Sequence, residues 1–288
     1  MKVLIFGANG QVGQALQRVL PDEDVEILAL GRHDRGGDVV QVEEVEAVIE
    51  NFAPHVIVNA AAFTQVDLAE TLVNETFAVN ELAVGNLARC AKASGALLIH
   101  FGTDFVFDGS GDHRWSEADA TNPLNVYGRS KLAGEVAIIQ SGCRYVILRV
   151  SWVYAPNHKN FITSAIHWLQ TQPVVRIVDD QWGSPTSATD IALAVKSVIK
   201  RAIDDPTIDG IYHFANDEVT TRFECVRFIA SLMPNLSQVE LEAAASSSFD
   251  LPASRPLNCR LDTNKFKRTF QFSPRHWQEG VREIVLSK

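Results

Sequence analysis

Cysteine is scarce in this sequence, and its four cysteines are widely separated along the chain. Cys90, Cys143, Cys225 and Cys259 form no CxxC pair, so their spacing gives no sign of a framework of paired thiols. Unpaired cysteines are typical of a reducing compartment, where disulfides rarely persist. We therefore expect four reduced thiols in a cytoplasmic protein.

Long apolar runs are also missing, which argues against a membrane-spanning segment. No stretch reaches the roughly 18 consecutive apolar residues that a transmembrane helix requires. The first residues, Met1–Gly7, contain one basic residue and a very short apolar run. Such a run is too short for the core of a signal peptide, so we interpret it as a buried first strand.

Clusters of basic residues are absent, and the formal net charge is −9, from 26 basic and 35 acidic residues. Binding to nucleic acid rests on neutralising phosphates, so we expect no nucleic-acid partner. An anionic small ligand would have to be held by a helix N-terminus or a single arginine. The histidines show no HExxH or similar spacing, so we expect no catalytic metal.

What the sequence does contain is a regular alternation of short apolar runs and longer amphipathic segments. This rhythm predicts an α/β fold, a doubly wound parallel sheet of the Rossmann type with helices on both faces. The apolar runs do not alternate with polar residues, as expected for strands buried on both faces. The predicted strands are Val3–Phe6, Val25–Leu30, His55–Asn59, Leu97–Phe101 and Tyr145–Val150, and the predicted helices are Gln11–Leu20, Val42–Asn51, Asn74–Ser94 and Asn125–Gln140.

The rhythm loosens in the second half of the chain, where Trp and Pro become commoner. We predict a dinucleotide-binding domain over residues 1–150 and a smaller lobe over residues 151–288 that binds mainly the substrate. This lobe is expected to interleave with the sheet. The stretch Ala243–Pro256 is predicted to be a long loop, either a binding loop or a mobile surface segment.

A glycine-rich turn follows the first predicted strand. Gly7, Gly10 and Gly13 have the spacing GxxGxxG, with Gln11 and Val12 between the last two. Glycines permit a tight turn and a close approach of the backbone to a pyrophosphate, which the helix N-terminus then attracts. Because this turn lies between a strand and a helix, it predicts a dinucleotide site.

The end of the second strand bears on which dinucleotide is bound. An acidic residue there favours NAD, but this sequence has Gly31 followed by Arg32, which favours the 2′-phosphate of NADP. We therefore predict NADPH, with NADH still possible, and the alternative is that Arg32 is an ordinary solvated side chain. Further residues expected at the cofactor are Asp38, Val39, Ala61, Ala62, Phe63 and Thr64.

Tyr127 and Lys131 are four residues apart in a predicted helix, so they share one face of it. A tyrosine pKa of about 10 is too high for efficient proton exchange near neutrality. A nearby lysine ammonium would lower that pKa. The same lysine can also bind the ribose of the nicotinamide.

Thr103 lies at the carboxyl end of the fourth predicted strand, where ligands of parallel sheets gather. Its hydroxyl could donate to a carbonyl oxygen that becomes an alkoxide during hydride transfer. The alternative is that Thr103 only caps a turn. Together with the glycine turn and the Tyr–Lys pair, it predicts a catalytic set of Thr103, Tyr127 and Lys131.

These features resemble the extended short-chain dehydrogenase/reductase family, and within it the dTDP-4-dehydrorhamnose reductases. The resemblance covers nearly the whole chain. It rests on the segments NAAAFTQVDLAE at 59–70, TDFVFDG at 103–109, PLNVYGRSKLAGE at 123–135, SWVY at 151–154, DQWGSPT at 180–186 and RP at 255–256.

The resemblance implies reduction of the C4 keto group of dTDP-4-dehydro-β-L-rhamnose to dTDP-L-rhamnose, a precursor of surface polysaccharide. It implies that Tyr127 protonates the C4 oxygen, and that Lys131 tunes Tyr127 and binds the ribose. Thr103 and Asp104 would hold the carbonyl, and Trp152 would contact the sugar. Gln181 and Arg255 are candidates for the nucleotide end of the substrate, and a homodimer is possible.

Departures from the wider family narrow these expectations. Dehydratases carry a glutamate where this chain has Phe105, so dehydration is not expected. Another 4-keto-sugar reductase or a 4-epimerase would share the same catalytic residues. A non-catalytic regulatory subunit, resembling the NADP-binding β subunit of methionine adenosyltransferase, would share much of the same pattern.

Overall fold

A computed structural model describes residues 1–233 and 239–287, and we numbered its elements in chain order. Its strands are β1 Lys2–Phe6, β2 Glu26–Leu30, β3 Val56–Asn59, β4 Leu97–Thr103, β5 Tyr145–Val150, β6 Val153–Tyr154, β7 Val174–Val178, β8 Trp182–Gly183, β9 Thr186–Ser187, β10 Gly210–Phe214, β11 Thr220–Thr221 and β12 Glu240–Ala244. Within the described residues, six of these strands form one parallel sheet in the order β10-β5-β4-β3-β1-β2.

Eleven α-helices accompany the strands in the described part of the chain. They are α1 Gln11–Val19, α2 Val42–Phe52, α3 Val66–Ala69, α4 Val73–Phe77, α5 Ala83–Ser94, α6 Val126–Ser141, α7 Phe161–Thr171, α8 Ala188–Asp204, α9 Arg222–Ser231, α10 Asn264–Phe270 and α11 Trp277–Leu286. The predicted fold class is therefore confirmed. The predicted strands and helices of the first half also agree with the structure to within one or two residues.

The sheet is covered on both faces, which explains why its strands are apolar throughout. Val3 and Ile5 of β1 pack into one cluster with α1, α8 and α10, whereas Leu4 and Phe6 pack into a second cluster with α2 and α5. All four side chains are fully buried. Burial of each such side chain contributes about 1.5–3 kcal/mol to folding, so the alternating faces of β1 anchor both layers.

The helix predicted over Asn74–Ser94 is real but irregular. One π-helical turn, Ala78–Leu82, joins α4 to α5. A π turn carries an extra residue and is frequent at functional sites. Here it places buried Asn80 against the backbone of Phe63 and the hydroxyl of Ser130, with distances of 2.9 to 3.0 Å.

The second half of the chain contributes to the main sheet as well as to a smaller layer. Strand β10 pairs with β5, while β7 pairs with β12 over a third apolar cluster. The loop predicted at Ala243–Pro256 is therefore wrong at its start, because its first two residues complete β12 and a 3₁₀ turn follows at Ser246–Ser248. These two residues are extended because they pair with β7, and their small side chains gave no local signal of a strand.

The order of the strands fixes where a ligand can bind. Strand β1 pairs with β2 on one side and with β3 on the other, so the order of the strands reverses between β1 and β3. The crevice at the carboxyl ends of β1 and β3 is the ordinary ligand site of a doubly wound sheet. In the described part of the chain, no helix is both long and apolar enough to cross a membrane.

Candidate active site

A cavity of about 590 Å³ opens at the carboxyl ends of the strands. Its lining includes all three predicted catalytic residues, Thr103, Tyr127 and Lys131. The lining also includes a larger set from the glycine turn, the strand ends and the second half, namely Gly10, Gln11, Val12, Ala62, Thr64, Asp104, Trp152, Phe161 and Arg222. The structure thus brings residues from both halves of the chain around one space.

Helix α6 carries Tyr127 and Lys131, and its first turn is held from three sides. Asn125 caps the helix by accepting a hydrogen bond from Gly128 N at 2.7 Å, and it donates to the Ser254 carbonyl. Glu70 accepts from Val126 N at 2.7 Å. A side chain at Gly128 would collide with the Phe105 carbonyl. These contacts fix Tyr127 over the end of β4.

Thr103 and Asp104 form a buried hydrogen-bonded pair. The Thr103 hydroxyl donates to Asp104 Oδ1 at 3.0 Å and accepts from Phe105 N at 3.2 Å. Ser151 donates to the other carboxylate oxygen at 2.9 Å. Burial raises the pKa of Asp104 above its usual range, although these hydrogen bonds oppose that shift. The single Thr103 proton must turn from Asp104 to reach a substrate carbonyl.

The pKa of Tyr127 runs against the sequence-based expectation. Desolvation raises the pKa of this phenol to about 12, and the neighbouring Asp104 carboxylate adds to that shift. A hydrogen bond with Thr103 opposes it without outweighing it. Lys131 is not among the causes of this shift, so its effect on the Tyr127 pKa stays a prediction, and the phenol is protonated at neutral pH.

Lys131 is buried, and its amine contacts His100 rather than Tyr127. Nζ of Lys131 lies 3.2 Å from Nε2 of His100, and Nδ1 of His100 lies 3.1 Å from Nδ2 of Asn59. Burial lowers the pKa of Lys131 to about 8, although the nearby Glu135 carboxylate favours its charged form. His100 was not predicted, although a histidine within an otherwise apolar strand was a visible signal.

Glu135 lies one helical turn beyond Lys131 and is paired with Arg149 of β5. Two guanidinium nitrogens contact the carboxylate, at distances between 2.7 and 3.2 Å, and both side chains are almost fully buried. The cation also lies over the ring of Phe107. Removal of one partner from a buried ion pair strongly destabilises a fold, because the other charge is left unpaired. This pair therefore holds α6 against β5.

The glycine turn has the close packing that a dinucleotide site requires. Gly7 has a φ of +80°, and a Cβ there would lie 2.5 Å from the Ala60 carbonyl carbon. Gly13 is packed against the Gly7 carbonyl, so it supports the turn without lining the cavity. Gly10 faces the cavity, and Gln11 accepts a hydrogen bond from Asn160 at 3.0 Å. The backbone therefore leaves room for a pyrophosphate.

A smaller cavity of about 250 Å³ lies on the other side of the glycine turn. Predicted cofactor residues that line it are Gly7, Gly10, Arg32, Asp38, Val39, Ala61, Ala62 and Phe63. Nε of Arg32 is 3.6 Å from Asp38 Oδ2, and three quarters of the Arg32 side chain is exposed. The two cavities share Gly10 and Ala62, so one elongated ligand could occupy both.

Arg222, which was not predicted, approaches the cavity from the first turn of α9. The centre of its guanidinium lies 3.6 Å from the Trp152 ring centroid and 4.4 Å from that of Phe161. Trp152 has a φ of +45°, a strained value for a bulky residue, and its carbonyl accepts from Thr186 N at 3.1 Å. Burial lowers the pKa of Arg222 to about 10, so it remains a cation near neutrality.

Two predicted substrate residues lie outside the lining of the larger cavity. Gln181 donates to the Ser246 hydroxyl at 3.2 Å, and Arg255 forms an ion pair with Asp67 at 2.7 Å. This pairing lowers the pKa of Asp67.

The four cysteines are all buried free thiols. Within the described residues, no group of three His, Cys, Asp or Glu side chains is placed to hold a metal ion.

Comparison with known proteins agrees with this geometry. The family model of the RmlD substrate binding domain matches residues 1–287. The chain belongs to this family. A dTDP-4-dehydrorhamnose reductase of Salmonella typhimurium is 37% identical over 99% of this chain and 97% of its own length. The spore coat polysaccharide biosynthesis protein SpsK of Bacillus subtilis is 31% identical over 100% of this chain and 98% of its own.

Solved structures of similar proteins share the whole architecture of this RmlD family member. A crystal structure of dTDP-4-dehydrorhamnose reductase from Bacillus anthracis, in complex with NADP, superposes with a TM-score of 0.92. It is 28% identical, and the match covers 100% of this chain and 99% of that one. The fold expected from the sequence resemblance is therefore the fold of the family.

Proposed function

We propose that this chain reduces the C4 keto group of dTDP-4-dehydro-β-L-rhamnose to give dTDP-L-rhamnose, using NADPH. The observation that carries this proposal is the convergence of Thr103, Tyr127 and Lys131 on one cavity beside the glycine turn. The similarity to dTDP-4-dehydrorhamnose reductases over nearly the full length supports the choice of substrate.

The bound nicotinamide supplies the hydride, and the residues of this chain supply a proton and a place for the carbonyl. Gly10, Gln11 and Val12 would hold the cofactor pyrophosphate at the start of α1, where free N–H groups point outward. Lys131 lines the adjoining cavity and would hold the ribose of the nicotinamide. The small residues Ala61 and Ala62 leave space between these groups.

Tyr127 would act as the acid in this direction of reaction. Its raised pKa keeps the phenol protonated at neutral pH, so a proton is available for the nascent C4 oxygen, and a charged Lys131 nearby would favour its release. Thr103 would donate a second hydrogen bond to that oxygen once its hydroxyl turns from Asp104. Donors placed before the reaction stabilise developing negative charge most effectively.

The division of labour follows the two halves of the chain. Residues 1–150 would hold the cofactor, and residues 151–288 would bind mainly the sugar nucleotide, with Trp152 at the sugar. Gln181 and Arg255 remain candidates for its nucleotide end. We expect NADPH to be preferred through Arg32, with NADH as the weaker substrate. A homodimer stays a prediction that sedimentation can test, and the four free thiols suit the cytoplasm.

The direct test uses enzymatically generated dTDP-4-dehydrorhamnose with NADPH or NADH, followed by the loss of absorbance of the reduced cofactor. Oxidation of NADPH with formation of dTDP-rhamnose is the expected result. Turnover without net oxidation of NADPH would indicate a 4-epimerase instead. A folded protein that binds NADP but shows no turnover, and that co-purifies with another enzyme, would indicate a regulatory subunit.

A further inference from the structure

His100 occupies the middle of β4, with its imidazole between Asn59 on β3 and Lys131 on α6. The ring is fully buried. His100 lines neither the larger nor the smaller cavity, so it does not reach a ligand there. Any effect of this ring on the reaction must therefore pass through Lys131.

The hydrogen-bond partners of Asn59 decide which ring nitrogen carries the proton. Oδ1 of Asn59 accepts from the backbone N–H of Ala61 at 3.1 Å, so its Nδ2 is the group that faces His100. An amide nitrogen donates and cannot accept, so Nδ1 of His100 must be the acceptor. A neutral imidazole has one donor and one acceptor, which places the His100 proton on Nε2.

The proton on Nε2 points at the amine of Lys131, 3.2 Å away. A lysine ammonium has three donors and no acceptor, so only the free amine can accept this hydrogen bond. Burial is the main reason that the pKa of His100 lies well below its usual range, and it keeps the ring neutral. A hydrogen bond to the neutral form of Lys131 disfavours its charged form, in the same direction as its burial.

Other ionisable groups around Lys131 do not offset this bond. Glu135 favours the ammonium, but its carboxylate is already shared with Arg149. Tyr127, one turn earlier on α6, is neutral because its pKa is raised. Asp104 lines the same cavity, and burial raises its pKa as well. Desolvation is the main cause of the lowered Lys131 pKa, and the contact with His100 is the polar contact that favours the free amine in the same direction.

We propose that His100 is a positioning residue that stabilises the free-amine form of Lys131 against the ammonium until a nicotinamide cofactor binds. The proposal rests on the proposed function. Above about pH 8, where the free amine predominates, binding is accompanied by uptake of one proton from solvent by the amine, its hydrogen bond from His100 Nε2 is broken, and the ammonium turns to the cofactor ribose. The negative charge of the cofactor favours the ammonium, which balances the lost contact.

Proton uptake tests this proposal without any turnover. NADPH is titrated into the wild-type protein by calorimetry at about pH 9, one unit above the Lys131 pKa, in buffers of different ionisation enthalpy. We expect uptake of close to one proton for each NADPH bound. Binding of NADPH without uptake would overturn this inference alone, and a lack of NADPH binding would overturn the proposed function together with it.

Variants of His100 then separate positioning from packing. His100→Phe keeps a ring of similar size but removes the donor, so about half of Lys131 is already charged at pH 9 after a rise in its pKa of about one unit, and uptake falls by about half. His100→Gln can accept from Asn59 and donate to Lys131, so uptake is expected to stay near the wild-type value. His213→Phe is the matched control, because His213 is a buried imidazole that contacts the Trp115 carbonyl rather than Lys131.

The pH profile of kcat/KM for NADPH provides a second measurement, since it reports ionisations of the free enzyme. Activity that needs Lys131 charged declines as pH rises through its pKa. Loss of the His100 donor raises that pKa, so the alkaline limb of His100→Phe should move up by about one unit. An unmoved limb, or equal behaviour of His100→Phe and His100→Gln, would reduce His100 to a packing residue and overturn the proposal.

Discussion

The two walls of the larger cavity differ in how their polar side chains are paired. On the wall formed by the sheet and α6, Thr103 is bonded to Asp104 and Lys131 contacts His100. On the wall formed by the second half, the Arg222 guanidinium lies between two aromatic rings. Within residues 1–233 and 239–287, the side chain of Arg222 has no hydrogen bond or ion pair to another side chain.

This difference separates the chemistry of the site from its specificity. On the sheet wall the polar side chains are bonded to one another, and this wall would act on a carbonyl that every keto substrate shares. The opposite wall carries the Arg222 cation, whose donors are free to bind a ligand because its guanidinium is stacked on aromatic rings and is not paired with a carboxylate in the described residues. Changes to the first wall should therefore lower the rate, and changes to the second should weaken substrate binding.

The largest effect is expected from Tyr127→Phe on the sheet wall. The variant keeps the ring that packs edge-on against Phe105 but loses the proton donor. We expect kcat to fall by about 10²–10⁴, the range for loss of a general acid, with little change in NADPH affinity. Single-turnover oxidation of NADPH measures the loss. A variant with full activity would refute the acid role of Tyr127.

Arg222→Gln tests the opposite wall, with an effect on KM rather than on the rate. Loss of a charged hydrogen-bond donor costs about 1.5–3 kcal/mol, so KM for the nucleotide sugar should rise by roughly 10- to 150-fold. Arg227→Gln is the matched control, because Arg227 lies on the same helix but is two-thirds exposed and paired with Glu224. A fall in kcat with KM unchanged would place Arg222 with the sheet wall and break the distinction.

Arg32→Ser tests the smaller cavity, which lies outside both walls. If Arg32 binds the 2′-phosphate, its loss should reduce the preference for NADPH over NADH by about tenfold, which corresponds to about 1.4 kcal/mol. The ratio of kcat/KM for the two cofactors measures this preference. An unchanged ratio would show that Arg32, which is largely exposed, serves only as a partner of Asp38.

The smallest effect is expected from Asn125→Ala, which loosens the sheet wall without removing a reacting group. Loss of this cap should lower the free energy of unfolding by about 1 kcal/mol, and the melting temperature reports it. A modest decrease in kcat should accompany it, because Tyr127 lies two residues beyond the cap. The control is Ser187→Ala at the cap of α8, because Ser187 lines neither cavity and its loss should leave Tyr127 in place. Equal losses of kcat in both variants would argue against positioning by Asn125.

The residues of the sheet wall were easier to predict from the sequence than those of the opposite wall. Local hydrophobic periodicity and residue spacing predicted the strands of the first half, the glycine turn and the helix face shared by Tyr127 and Lys131. Arg222 had no such pattern, because it meets Trp152 only through the fold of the second half. His100 was missed for a different reason, since an imidazole inside an apolar strand acquires its partners only when β3 and α6 pack beside it.

Electrostatics were the least predictable property. The spacing of Tyr127 and Lys131 correctly placed both at the cavity, but not the direction in which the tyrosine pKa shifts. Desolvation and Asp104 raise this pKa, and Lys131 is not among its causes, because the amine contacts His100 in the packed structure. The roles of Gln181 and Arg255 stay predictions, since both are engaged by side chains away from the larger cavity.

The π turn within the long helix gives the site a mechanical property. Asn80, held in that turn, bonds both carbonyl and N–H of Phe63 and also the Ser130 hydroxyl on α6. One side chain thus links the segment around Phe63, which lines the smaller cavity, to the helix that bears Tyr127. Amide hydrogens of these two regions should therefore exchange with deuterium as a single opening unit, slowly and together.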